Sequence, residues 1–233
     1  MSPGPDASKV NRRILYGRRS GHRLRPAQKT LLEDFLPAIS VPLTGALLPD
    51  QMMKGARATV LEVGFGGGEN LAARAARSPD TLFIGCEPFI NGVVRLAQEA
   101  KARDLANVRI HADDARDVIE RLPDGSVGQV FVLFPDPWPK TRHHRRRFIS
   151  RDNLRALARI VKPGGLLIVA TDISDYARWT MCETAAEGHF GFIATTSSDW
   201  LNRPEGWVET RYEAKAIQAG RRPVYLQFRR KGP

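Results

Sequence analysis

Leu61-Glu-Val-Gly-Phe-Gly-Gly-Gly-Glu-Asn70 decides the fold of this chain. The run that leads into it, Ala58–Val63, is apolar and β-branched and reads as a buried strand. Glycines directly after a first strand let the backbone come close to a ligand at the carboxyl edge of a sheet. A dinucleotide fingerprint, G-x-G-x-x-G/A, is not met, because Glu69 fills its last slot. A Walker loop is absent too. The pattern present is E-x-G-x-G-x-G, with Glu62 inside the strand end and Gly64 and Gly66 in the turn. An acid there repels a pyrophosphate and welcomes the ammonium or sulfonium of S-adenosylmethionine.

Outward from this turn the pattern alternates. Strand-like runs are expected at 58–63, 81–87, 108–113, 127–134 and 166–171. Helical segments are expected between them at 68–77, 88–103, 115–122 and 150–161, and another at 175–187. Ser150 and Ser174 stand where N-caps belong, and Pro163-Gly164-Gly165 reads as a helix stop. Two late strands, 192–196 and 222–229, bracket a loop rich in Trp, Pro and Gly. This order implies one α/β domain: a Rossmann-like, mostly parallel seven-stranded sheet with helices on both faces. Its expected span is 31–233, behind a basic, partly disordered arm at 1–30. A helix is expected from Pro26 to about residue 36, and 37–56 reads as loop.

Two further acids belong to the same edge. Strand two ends in Glu87, 23 residues after Gly64, where an acid hydrogen-bonds ribose hydroxyls in doubly wound folds. Strand three ends in Asp113-Asp114, and an acid there can accept from an adenine amino group. Asp114 is preferred because it directly precedes the next helix; a helix N-cap is the plainer role for either. Three acids at three successive strand ends favour an S-adenosylmethionine site over a nicotinamide site.

The loop after strand four carries the reaction in this architecture. Here it is Phe134-Pro-Asp-Pro-Trp-Pro-Lys140, then Thr141-Arg-His-His-Arg-Arg-Arg147. Three prolines stiffen a loop holding Asp136 and Trp138, and Lys140 and four arginines follow. Methylases of exocyclic amines commonly carry [DNS]-P-P-[YFW]; this loop has one proline after the acid. Guanine N7 offers a free lone pair and needs no deprotonation, so it demands positioning and charge balance rather than a base. A carboxylate accepts from guanine N1–H and N2–H2 together. Trp138 either stacks on a base or packs the loop. Methylation of an exocyclic amino group in RNA or DNA remains the alternative.

Charge agrees with a nucleic-acid substrate. Thirty-six Lys and Arg against 25 Asp and Glu give +11 and a pI near 10.2, a balance that attracts polyanions. The arm cations (Lys9, Arg12, Arg13, Arg18, Arg19, Arg23, Arg25 and Lys29) and Arg145–Arg147 are expected to contact phosphates. Cys86 and Cys182 are too few for a zinc motif, and the five histidines lack ligand spacing, so no metal is expected. No apolar run reaches the ~20 residues that span a bilayer, and the first eight residues lack a signal peptide's apolar segment. A cytoplasmic monomer or homodimer, with no membrane and no obligate protein partner, is expected.

These motifs resemble the bacterial tRNA (guanine-N7-)-methyltransferases, the TrmB type. The match runs from about Arg12 to Arg230: Tyr16-Gly-Arg-Arg-Ser-Gly-His-Arg-Leu24, Leu61–Gly66, Gly85-Cys-Glu87, Phe134–Lys140, Ala170-Thr-Asp172 and Thr210-Arg-Tyr-Glu213. The resemblance implies a class I, S-adenosylmethionine-dependent fold that methylates guanine 46 in the variable loop of tRNA and releases S-adenosylhomocysteine. It implies that Glu62, Glu87, Asp114 and Asp136 lie at the cofactor and that Asp136 is catalytic. It further implies that Lys140, Asp172, Thr210, Arg211, Tyr212 and Glu213 bind substrate. By spacing alone, Thr210 and Glu213 read as a helix capping box.

Overall fold

The computed structural model describes residues 14–232. The first 13 residues, which include Lys9, Arg12 and Arg13 of the arm and the stretch expected to be disordered, lie outside the described residues. Among the described residues there are seven strands: β1 (Ala58–Val63), β2 (Thr81–Cys86), β3 (Val108–His111), β4 (Val127–Leu133), β5 (Val161–Thr171), β6 (Phe190–Phe192) and β7 (Val224–Arg230). They form one sheet in the order β3-β2-β1-β4-β5-β7-β6. The first five strands are parallel, and β7 inserts antiparallel between β5 and β6.

Side chains alternate across each strand, so the sheet feeds two cores. Leu61 and Val63 face one, with Val118, Ile119, Leu154, Leu157 and Tyr176. These come from α6 (Ala115–Arg121), α7 (Arg151–Ile160) and α8 (Ser174–Glu187). Val60 faces the other, with Leu71, Ala75, Val93, Leu96 and Ala97, from α4 (Glu69–Arg77) and α5 (Ile90–Ala102). Both faces of the parallel strands are covered, which is why these strands read as near-continuous apolar runs.

Several boundaries differ from expectation for identifiable reasons. Helix α1 spans Pro26–Asp34, and the stretch expected as loop holds two short helices, α2 (Leu36–Ile39) and α3 (Pro49–Met52). Leu31, Leu32, Phe35 and Leu36 pack against the core on the α4–α5 side. Ser150 caps α7, accepting from Asn153 N. Ser174 is instead the first residue of α8, whose cap position, Ile173, donates to Thr171 Oγ1 at 3.2 Å. Strand β6 ends at Phe192, short of Thr196. Asp199 Oδ2 accepts from both Thr195 N and Thr196 N at 2.8 Å, turning the chain into α9 (Ser198–Leu201).

Candidate active site

The carboxyl ends of β1, β2 and β4 bring the expected acids to one edge. Glu62 is buried, 2 % exposed, and its Oε2 accepts from Asn70 Nδ2 at 2.7 Å. Asn70 Oδ1 in turn accepts from Arg74 Nε at 3.0 Å, and the Arg74 guanidinium lies 4.4 Å from the centroid of Phe131. Burial pushes the Glu62 carboxyl up to about 8, against the Asn70 hydrogen bond and the Arg74 charge.

Glu87 ties the glycine loop down. Its Oε2 accepts from Gly66 N at 2.7 Å, and its Oε1 accepts from Phe89 N at 2.9 Å. Burial raises its carboxyl as well, opposed by these two backbone donors. Gly64 and Gly66 have φ of 71° and 58°, the left-handed region that favours glycine. The loop is pressed from behind by α5: a Cβ on Gly92 would sit 2.0 Å from the Gly66 carbonyl oxygen. Sequence reading missed Gly92, because a glycine inside a helix signals only a propensity cost.

Asp114 caps α6, accepting from Arg116 N at 3.0 Å, and pairs with the Arg116 guanidinium. Its neighbour Asp113 accepts from Arg19 Nη2 at 2.9 Å. Arg19 belongs to a segment laid across the mouth of the site. Arg19 O accepts from Ile90 N at 3.0 Å, and Asn91 bonds both Gly21 N and His22 O, at 2.7 and 2.9 Å.

Asp136 stands exposed on the loop after β4, with its carboxyl raised by partial desolvation. Its Oδ2 would be 3.4 Å from a Cβ on Gly17, so the N-terminal segment passes directly over it. Beside it, Trp138 meets the Tyr16 ring edge-on at 6.2 Å, and the Arg146 guanidinium lies 4.4 Å from Tyr16 and 4.9 Å from Trp138. Trp138 therefore packs the loop in this structure. The loop's flanks are strained: Phe134 and Trp138 have φ of 50° and 43°, each costing about 1–3 kcal/mol for a bulky side chain.

The charge run does not behave as one unit. Thr141–Arg146 forms a 3-10 helix that leaves Lys140, Arg142 and Arg145 exposed. Arg147, expected as a phosphate contact, is buried and turned inward. It stacks over Trp179 and Tyr176 instead.

The late segment reaches the same edge. Helix α10 (Arg211–Gln218) begins with the capping box read from the sequence, Thr210 Oγ1 accepting from Glu213 N at 3.2 Å. Glu213 is 0 % exposed and accepts from Arg203 Nε, Trp207 Nε1 and Tyr225 OH at 2.7, 2.7 and 2.5 Å. That network anchors the start of α10 rather than opening Glu213 to solvent. Its exposed neighbours lean on the glycine loop. Arg211 pairs with Glu69, and a Cβ on Gly66 would meet Tyr212 Cε2 at 3.0 Å. Asp172, at the end of β5, accepts from Arg221 Nε at 2.5 Å.

The donor set fits one kind of cofactor. Carboxylates at the ends of β1 and β2 disfavour a pyrophosphate and suit an ammonium and ribose hydroxyls. The family model Methyltransf_4, described as a putative methyltransferase, matches residues 56–226. Among solved structures, the 16S rRNA methyltransferase KamB aligns with a TM-score of 0.58 at 18% identity, covering 78% of this chain and 92% of that one. The [4+2]-cyclase SpnF aligns at 0.51 and 16%, covering 89% and 81%, and at such identities the likeness is of fold alone. Fold and family define a methyltransferase built on a Rossmann-like, mostly parallel seven-stranded sheet. The chain is 45% identical to a tRNA (guanine-N(7)-)-methyltransferase of Mesorhizobium japonicum, over 99% of this chain and all of that protein. It is 46% identical to one of Ruegeria pomeroyi, over 94% and 95%. It belongs to the bacterial tRNA (guanine-N7-)-methyltransferase family.

Proposed function

We propose that this chain methylates N7 of guanine 46, in the variable loop of tRNA. The observation that carries the reading is the Asp136 loop, held beside the Glu62–Glu87 edge and bordered by exposed Lys140, Arg142 and Arg145. S-adenosylmethionine, when bound, supplies an electrophilic methyl group. Glu62 would hold the ammonium of its amino-acid end, Glu87 its ribose hydroxyls, and Asp114 its adenine. Asp136 would accept from guanine N1–H and N2–H2, hold the base so that N7 is presented for alkylation, and offset the positive charge that the ring would gain. Lys140 and Asp172 border the base, and Tyr212 and Arg211 close the site from α10, with Thr210 and Glu213 setting where that helix starts. The exposed cations hold phosphates without reading sequence.

Incubation with labelled S-adenosylmethionine and unmodified tRNA, followed by nucleoside analysis and mapping of the labelled base, tests this. The expected product is cationic 7-methylguanine at a single position in the variable loop. Methylated adenine or cytosine would sink the reading in favour of an exocyclic amine methylase.

A pH dependence follows from Glu62. In the unfolded chain this carboxyl ionises near its ordinary value of 4.5, whereas in the fold it holds its proton to about 8. Its stabilising contribution is therefore complete below about 4.5 and is lost as pH rises to about 8. A cationic ligand favours the ionised form, so cofactor affinity runs the other way. The ligand-free Tm is expected to fall between pH 5 and 8 more steeply than in Glu62→Gln. S-adenosylmethionine affinity is expected to rise over the same window, by up to about tenfold per pH unit. Calorimetry showing a pH-independent Kd from 6 to 8 would remove Glu62 as the ammonium partner.

A further inference from the structure

Arg147 ends a run of cations in which Arg142 and Arg145 face solvent, yet its own side chain is 0 % exposed. Its guanidinium lies 5.0 Å from the ring of Trp179 and 5.4 Å from that of Tyr176. Its Nε donates to Pro137 O at 2.9 Å. Its Nη2 donates to Asp175 Oδ2 at 2.5 Å and reaches toward Trp138 O at 3.4 Å. Both carbonyls belong to residues immediately after Asp136. The salt bridge holds the Asp175 carboxyl below its ordinary range, so the clamp is anchored to the first turn of α8.

The loop needs such an anchor. Phe134 and Trp138 both occupy left-handed backbone, which bulky side chains leave unless their surroundings fix it. Proline at 135, 137 and 139 supplies no N–H, so within the Pro135–Pro139 loop the backbone N–H donors are those of Asp136 and Trp138. Arg147 instead takes the carbonyls of Pro137 and Trp138, and a planar guanidinium grips two acceptors where an ammonium grips one point.

We infer that Arg147 is a positioning residue for methyl transfer: it fixes the loop that aims Asp136 and makes no contact with RNA. This rests on Asp136 being the catalytic group.

The test compares Arg147→Lys, Asp175→Asn, Arg142→Ala and Asp136→Asn in the full chain. It measures kcat, the tRNA KM, the S-adenosylmethionine Kd and the dependence of tRNA affinity on salt. Arg147→Lys is expected to lower kcat about 10- to 100-fold, the cost of misplacing a reacting group by about an ångström. Its cofactor Kd, tRNA KM and salt slope stay at wild-type values. Asp175→Asn moves kcat the same way by a smaller factor. Arg142→Ala raises the tRNA KM and lowers the salt slope by about one, as loss of a phosphate contact does. An Arg147→Lys enzyme with wild-type kcat, or with a raised KM and a lowered slope, overturns the inference. Should Arg147→Lys fail to fold, Asp175→Asn decides alone, because its carboxylate is largely exposed; wild-type kcat there is equally fatal. Full turnover in Asp136→Asn means that the reading of the loop has failed. An inactive Asp136→Asn beside a normal Arg147→Lys means that only the role of Arg147 has failed.

Discussion

Asp136→Ala is expected to lower methyl transfer to tRNA by about 10²–10⁴-fold while S-adenosylmethionine still binds, the loss typical of removing a placed electrostatic group. In the proposed site the cofactor's charged end would meet Glu62 and its ribose Glu87, neither of which depends on Asp136 for position: Glu62 is held by Asn70, and Glu87 by Gly66 N and Phe89 N. The nature of the substitution separates two roles. A general base is removed equally by Ala and Asn. A carboxylate that accepts from two adjacent guanine donors is not, because Asn offers one acceptor and turns an NH2 toward a donor. Asp136→Asn is thus expected to be less active than Asp136→Ala, and Asp136→Glu to recover little, since an extra methylene shifts the carboxylate on a loop that three prolines keep stiff. Single-turnover rates with saturating tRNA, beside calorimetric cofactor binding, check both statements. Near-wild-type turnover in Asp136→Ala would end the assignment.

The parallel half of the fold is legible because each strand from β1 to β4 is buried on both faces and flanked by helices with their own apolar stripe. The site acids are legible for a related reason. Glu62 and Glu87 interrupt apolar runs at strand ends, where burial makes a carboxylate expensive without a purpose. What sequence does not reveal is contact across distance. Gly92 matters because the Gly66 carbonyl presses on it across 26 residues, and helix periodicity contains no trace of that. Arg147 looks like Arg145 and Arg142 in a string of cations, and only tertiary placement turns it inward.

The Thr210–Glu213 segment divides in the same way. Its capping box is a local pattern and is visible in four residues. The bonds from Arg203, Trp207 and Tyr225 that bury Glu213 are not local. The N-terminal segment is the extreme case: Tyr16 to His22 has no periodicity to read, yet it lies over Asp136 and is pinned by Asn91 and Asp113.

The same sorting of cations sets the size of the salt effect on tRNA binding. Arg146 lies against the rings of both Tyr16 and Trp138, Arg147 is buried and Arg19 is paired with Asp113. Arg18, Arg23, Lys140, Arg142 and Arg145 are exposed around the mouth of the site. If these five each neutralise one phosphate, the slope of log K against log salt is about −3.5 to −4.5, from roughly 0.7 to 0.9 counterions released per contact. Raising salt from about 50 to about 200 mM is then expected to weaken tRNA binding about 10²- to 10³-fold, while S-adenosylmethionine affinity changes far less. Converting Lys140, Arg142 and Arg145 together to alanine should flatten the slope by about two to three units. Filter binding or anisotropy across a salt series measures it. A flat response in the wild-type chain would mean that this cationic face is not where the RNA lies, and the +11 charge would need another explanation.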